Sequence, residues 1–388
     1  MRYYLIVCFF LINFTLVIEK AVAQDENGSA LANSSLRISG QLSGWQQYGP
    51  DLDKSLWFGA RYMPQVNFEI PFPDGTLLDF EGAINVFGNW GIKPFKDTET
   101  DGKIKPYRLW GRCSKNDSEV RLGLQKVNFG SAQMFRPLMW FDKMDPRDPL
   151  QLTDGVWGGL FRHYFPNNAN LWFWMLFGNS DTKGWEIVPT GGDDIKPEFG
   201  GRVQLPVPKG EAALSYHFRK ALINDLIPGY DDVSENRFGF DVKLDVGAGV
   251  WLETSWMNYS KDLGIYTNQE MLTLGTDYTF NIGNGIGFTF EHLLYSTDKN
   301  AFEYKNTANF SGMTLSYPVS MIDDLDSIIY YDWKKSNMYF TVNWKKQFNS
   351  ISFYLMGYWN PKTNTLPTQG GSDRFSGKGF QFMAVWNH

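Results

Sequence analysis

From Leu36 to Trp386 the chain alternates apolar and polar side chains with a period of two, in runs of roughly nine to fourteen residues, the pattern of strands between an apolar and a polar medium. Eighteen such runs are predicted, beginning with 36–47, 57–70, 77–89, 104–115 and 119–129 and ending with 337–347, 350–359 and 378–387. Parity assigns the faces. Phe238, Phe240, Val242 and Leu244 share one side, and Arg237, Asp241 and Lys243 the other. Leu214, Tyr216 and Phe218 oppose Ser215, His217 and Arg219, and Phe380, Phe382 and Trp386 oppose Gln381.

The connections alternate as well. Every second one is short and rich in Gly, Pro, Asn and Asp, as in PFPDGT (71–76), PNNA (166–169) and NIGNG (281–285), the residues that tight turns require. The others are longer. An all-β, transmembrane antiparallel up-and-down β-barrel of about 18 strands has this design, with short periplasmic turns and long outer loops. Two positions fit it less well: Pro64 within the second strand predicts a bulge, and Lys126 interrupts the apolar row of the fifth.

Composition narrows the medium. Aromatic residues make up 17% of the chain, with 15 Trp and 31 Phe, yet mean hydropathy is −0.33. No stretch after the N-terminal one reaches the roughly 18 consecutive apolar residues of a spanning helix. That combination is expected where only every second residue of a strand meets lipid. Residues 1–23 are expected to be a secretory signal: Arg2, an apolar run from Leu5 to Ile18, and Ala21-Val22-Ala23 as the cleavage site. Residues 24–35 then form a flexible periplasmic leader before a barrel over 36–388, with no room for an energy-coupling plug. Cys8 would leave with the signal, so Cys113 has no partner for an internal disulfide. A formal net charge of −6 argues against a nucleic-acid partner.

One connection differs from the rest. Residues 130–155 carry Phe135, Leu138, Met139, Trp140, Phe141 and Met144, more apolar surface than a free loop exposes, interleaved with charge. The expectation is that this insert folds into the barrel as a constriction formed by Arg136, Trp140, Asp142, Asp145, Arg147 and Asp148. Its aromatic residues either offer a slide for sugar rings or pin the loop to the inner wall. Arg108, Arg112, Arg121, Glu119 and Gln125 are placed on the neighbouring lumen wall. The three arginines form either a basic ladder favouring anions or a set of wall-stiffening ion pairs.

The four histidines, His163, His217, His292 and His388, are scattered, with no zinc-binding or serine-hydrolase motif around them. The cluster DKMDPRD lacks the ligand spacing of a calcium loop. No enzyme, cofactor or metal is therefore expected, the alternative being a barrel hydrolase that uses His163 or His217 with a nearby Asp.

The run GLQKVNFG followed by PLMWFDKMDPRDPLQLTDGV, within residues 121–159, resembles bacterial outer-membrane porins and, more distantly, the alginate-export type. In those proteins a strand with a Gly-x-Gln step, here Gly123-Leu124-Gln125, leads into a loop with Trp and Asp that enters the pore. The resemblance implies a monomeric or trimeric channel for anionic or sugar-like solutes. The chain ends in Trp386-Asn387-His388, where such barrels end on an aromatic residue. Together these features predict passive diffusion of small hydrophilic solutes across an outer membrane, with lipid outside the barrel. A homo-oligomer, or a subunit of a larger envelope complex for secretion, export or electron transfer, is the alternative assembly.

Overall fold

The computed structural model describes residues 34–186, 196–221, 233–363, 366 and 373–388. The expected signal and all but the end of the leader lie outside them, as do parts of three long connections. The described chain forms eighteen strands. The first six are β1 (Ser35–Tyr48), β2 (Leu56–Pro71), β3 (Leu77–Lys93), β4 (Asp97–Lys115), β5 (Ser118–Gln125) and β6 (Val156–Tyr164). Next come β7 (Asn170–Leu176), β8 (Glu198–Val207), β9 (Gly210–Ala221), β10 (Val233–Asp245), β11 (Gly249–Tyr259) and β12 (Asn268–Phe280). The last six are β13 (Ile286–Asp298), β14 (Thr307–Pro318), β15 (Asp323–Asp332), β16 (Asn337–Gln347), β17 (Ile351–Trp359) and β18 (Lys378–Asn387).

Each strand pairs antiparallel with the next, and β1 pairs with β18 from Gln41↔Asn387 to Tyr48↔Phe380, which closes the sheet. Closure leaves no free edge there, the condition for a sheet whose outer face meets lipid. The parity expected from the sequence holds. Leu214, Phe238, Phe380, Phe382 and Trp386 lie exposed on the outer face, while Ser215, His217, Arg219, Arg237 and Gln381 are buried inside. The tight turns are built as their residues dictate, with Gly75, Asn116, Asn168 and Gly283 at positive φ.

Two local expectations change. Gly40 pairs with Pro64 in an unbroken β1–β2 register, the β2–β3 ladder skips Met63 and Pro64 without a register shift, and the bulge lies in the β3–β4 ladder, between Ala83 and Ile84. β5 ends at Gln125, not near 129, so Lys126 is not a wall residue. Within β5, Gly123 pairs with both Trp110 and Gly158 at a φ of +122°, and a Cβ there would stand 2.1 Å from the Leu109 carbonyl, so glycine is required where β4 and β5 come this close.

Candidate functional site

The insert after β5 lies inside the barrel: residues 127–141 pack against one half of the wall, β7 and β10 to β16, and residues 150–154 reach β1, β4 and β18. Its attachment is unusually polar for so buried a segment. Glu253 on β11 accepts from the backbone N–H of Ala132 at 2.9 Å and of Leu138 at 2.7 Å. Glu291 on β13 accepts from Gln133 at 2.6 Å, Met134 at 2.9 Å and Phe135 at 2.7 Å, and from the Trp251 indole at 3.1 Å. Five backbone amides thus meet two carboxylates, the bonds that hold a loop without secondary structure of its own. The Thr273 hydroxyl donates to the Phe135 carbonyl at 2.9 Å, and the Trp140 indole donates to Ser255 at 3.0 Å.

Glycine makes room for this docking. A Cβ on Gly239 would lie 2.3 Å from Leu138, and one on Gly312 would lie 2.9 Å from the Met134 sulfur. Around these contacts Val127, Phe129, Leu138, Trp140 and Phe141 pack with Trp174 and Leu176 of β7. Leu138, Met139 and Trp140 each expose only 1% of their surface. The aromatic residues therefore pin the loop.

The inward charges of this half pair among themselves. Arg202 meets Asp241 at 2.5 and 2.9 Å, and Arg219 and Arg237 surround Glu235 and Glu186 at 2.5–3.2 Å. The strand residues among them face inward as parity requires, but protein covers them.

The open space lies on the opposite side. A cavity of about 310 Å³ is bordered by Trp45 of β1, Arg61 of β2, Tyr107 of β4, Arg374, and the insert's Asp145 and Asp148. Arg61 lies 5.5 Å from the ring centroids of both Trp45 and Phe87, and Arg374 lies 6.0 Å from that of Trp45. Among the described residues neither guanidinium has a carboxylate oxygen within 4.0 Å. Burial pushes the Asp148 carboxyl up, against the N–H of Leu150 and the positive charge of Arg61. Burial lowers the Arg374 guanidinium, with Asp148 acting the other way.

The residues expected at a constriction divide into two groups. Arg136, Trp140 and Asp142 are buried in the docked part, with Arg136 donating to Asn128 and standing 3.9 Å from Asp142. Burial raises the Asp142 carboxyl, Arg136 opposing. Asp145 and Asp148 border the cavity, and Arg147 clamps Asp145 at 2.7–3.2 Å beneath Phe375.

The wall residues are largely engaged. Arg108 donates to both oxygens of Thr153 at 3.0 and 3.1 Å. Arg112 bridges Asp79 at 2.8 Å and Glu119 at 3.1 Å, and Arg121 lies over Trp110 at 4.4 Å. Gln125 is fully buried and donates to Gly158.

Sequence reading missed Arg374, because it sits in a connection outside any alternating run. Arg61 of β2, three strands before the insert, was legible as an inward arginine of an alternating run, and Ser43, not an acidic residue, lies opposite it in β1.

No family model and no curated protein matches the sequence. Among solved structures the chain is similar to Pseudomonas aeruginosa OccD3 (OpdP), with a TM-score of 0.59 at 8% identity, covering 91% of each chain. It is also similar to Pseudomonas aeruginosa OccK7 (OpdD), with a TM-score of 0.55 at 11% identity, covering 92% of this chain and 99% of that one. An anion-selective porin from Comamonas acidovorans aligns at a TM-score of 0.47 and 14% identity, over 92% of this chain and 100% of that one. At these identities the first two establish a shared fold, the porin-type barrel.

Proposed function

We propose that the protein is an outer-membrane channel for passive diffusion of small hydrophilic solutes, with preference for those carrying a carboxylate or another single negative charge. Residues 1–23 act as its export signal, and residues 130–155 as its constriction. An eighteen-stranded barrel is too wide for side chains to fill, so an insert docked on one half leaves a passage beside the other.

The observation that carries the reading is the pair Arg61 and Arg374, which faces the remaining space unpaired by carboxylates. Fixed charge at a narrow point sets which ions dwell there. Tyr107, half-buried at the cavity, offers a ring against which a sugar acid can pack, whereas Trp45 and Phe375 are buried and back Arg61, Arg374 and Arg147. A polyuronate such as alginate would need a longer run of unengaged cations, and Arg112 and Arg202 already hold carboxylates.

Planar-bilayer recording of the purified barrel tests the proposal. Stepwise conductance with a reversal potential on the anion side under a salt gradient supports it. A silent barrel that copurifies with other envelope chains supports the rival reading as a subunit of a larger assembly.

A further inference from the structure

The wall is not uniformly closed. β4 pairs with β3 along its whole length, from Asp97 to Ser114, but with β5 only from Leu109 to Lys115. Among the described residues, no strand pairs with the other edge of β4 from Asp97 to Arg108. The cause is the departure of the insert: β5 turns inward after Gln125, and β6 starts beside it at Val156. Pro106 sits in the unpaired stretch, where its missing N–H costs no ladder bond.

Trp90, exposed on the outer face, pairs with Thr100 and packs against Phe58 at 5.9 Å, as in an interfacial girdle. Residues 101–108 run from that level toward the short-turn end. Ile104 is 72% exposed there, beside exposed Ile84 and Val86 of β3.

A crevice of about 590 Å³ opens at this gap. Its outer part is apolar, formed by Ile104, Pro106, Leu109, Leu124 and Trp157, and its inner part carries Lys103, Lys105, Lys183 and Asp154. The lumenal cavity is bordered by the same Lys105 and Asp154. Their ion pair, 2.6 Å between Lys105 Nζ and Asp154 Oδ1, is the partition between the two spaces.

We propose that this crevice is a lateral binding site for a single-chain anionic amphiphile, entered from the bilayer. The chain lies on the strip from Ile104 to Trp157. The head group reaches the lysines and competes with Asp154 for Lys105, which joins the crevice to the lumen. Three lysines against Asp154 and Asp181 favour an anionic head. The apolar strip supplies roughly 25 cal/mol per Å² covered.

The test uses decyl sulfate bearing a chain-terminal diazirine as photoprobe, on the detergent-free barrel in vesicles, with adducts located by mass spectrometry. Adducts on Ile104, Leu109 and Leu124 several-fold above other lipid-facing leucines are expected. Ile104→Trp, which fills the outer crevice at an exposed position, is expected to remove that excess. Lys105→Gln is expected to weaken it and to shift adducts outward. Labelling spread evenly around the apolar belt, or an excess that persists in Ile104→Trp, overturns the proposal. Neither result depends on ion conductance, so the channel reading stands or falls separately.

Discussion

The amide of Phe135 donates to the carboxylate of Glu291 at 2.7 Å, joining the insert to a strand 156 positions further along the chain. That carboxylate also holds Gln133 and Met134. Glu291→Ala leaves four donors without their acceptor, the amides of Gln133, Met134 and Phe135 and the Trp251 indole, at a cost on the order of 3 kcal/mol or more. Glu291→Gln keeps one acceptor oxygen and is expected to lose less. Urea unfolding midpoints of the two variants against wild type measure the difference. Equal midpoints in all three would mean that the insert is not held this way.

Trp140 is the side chain around which the docked half closes. Trp140→Ala opens a cavity between Phe129, Phe141 and Ser255 and is expected to cost about 3–5 kcal/mol. The loosened insert should also add slow current fluctuations to an open channel. A stable variant with quiet current would show that Trp140 pins nothing.

Selectivity separates engaged from unengaged arginines. Arg61→Ala with Arg374→Ala is expected to move the reversal potential toward cation preference. Arg112→Ala is expected to leave it nearly unchanged and to lower stability, since Asp79 and Glu119 lose their shared cation. The opposite ranking of the two reversal potentials would place the selective charge on the wall below the insert.

The pH response follows from Asp148. Burial raises its carboxyl above the usual aspartate value of about 3.9. As pH falls through the raised value the carboxylate is neutralised, so the constriction gains net positive charge and anion preference rises. The rise is expected to begin at a pH above the ordinary aspartate range and to vanish in Asp148→Asn. A pH profile that survives in Asp148→Asn assigns the titration elsewhere.

The strands were legible because a wall between lipid and water imposes a period of two on every residue, and Phe238 or Leu214 has nowhere else to point. That an insert enters the barrel was legible from Trp140 and its neighbours, too apolar for solvent. Its resting place was not. Glu253 and Glu291 read as ordinary inward polar residues, and their role depends on which backbone amides arrive opposite them in space. The inward glycines Gly239 and Gly312 were the available trace of a close approach. Arg374 left no trace, since a connection has no periodicity from which to infer a side chain's direction.

The account rests on an asymmetric lumen, wet beside Trp45, Arg61 and Tyr107 and dry beneath the insert. Single cysteines in a Cys113→Ser background, probed with a charged water-soluble thiol reagent during bilayer recording, test it most directly. Modification of Tyr107→Cys and Leu152→Cys is expected to reduce the current, and Thr273→Cys, fully buried under Phe135, is expected to stay unreactive. Rapid modification and block at Thr273→Cys, with Tyr107→Cys silent, would put the passage on the other side of the barrel and contradict the account.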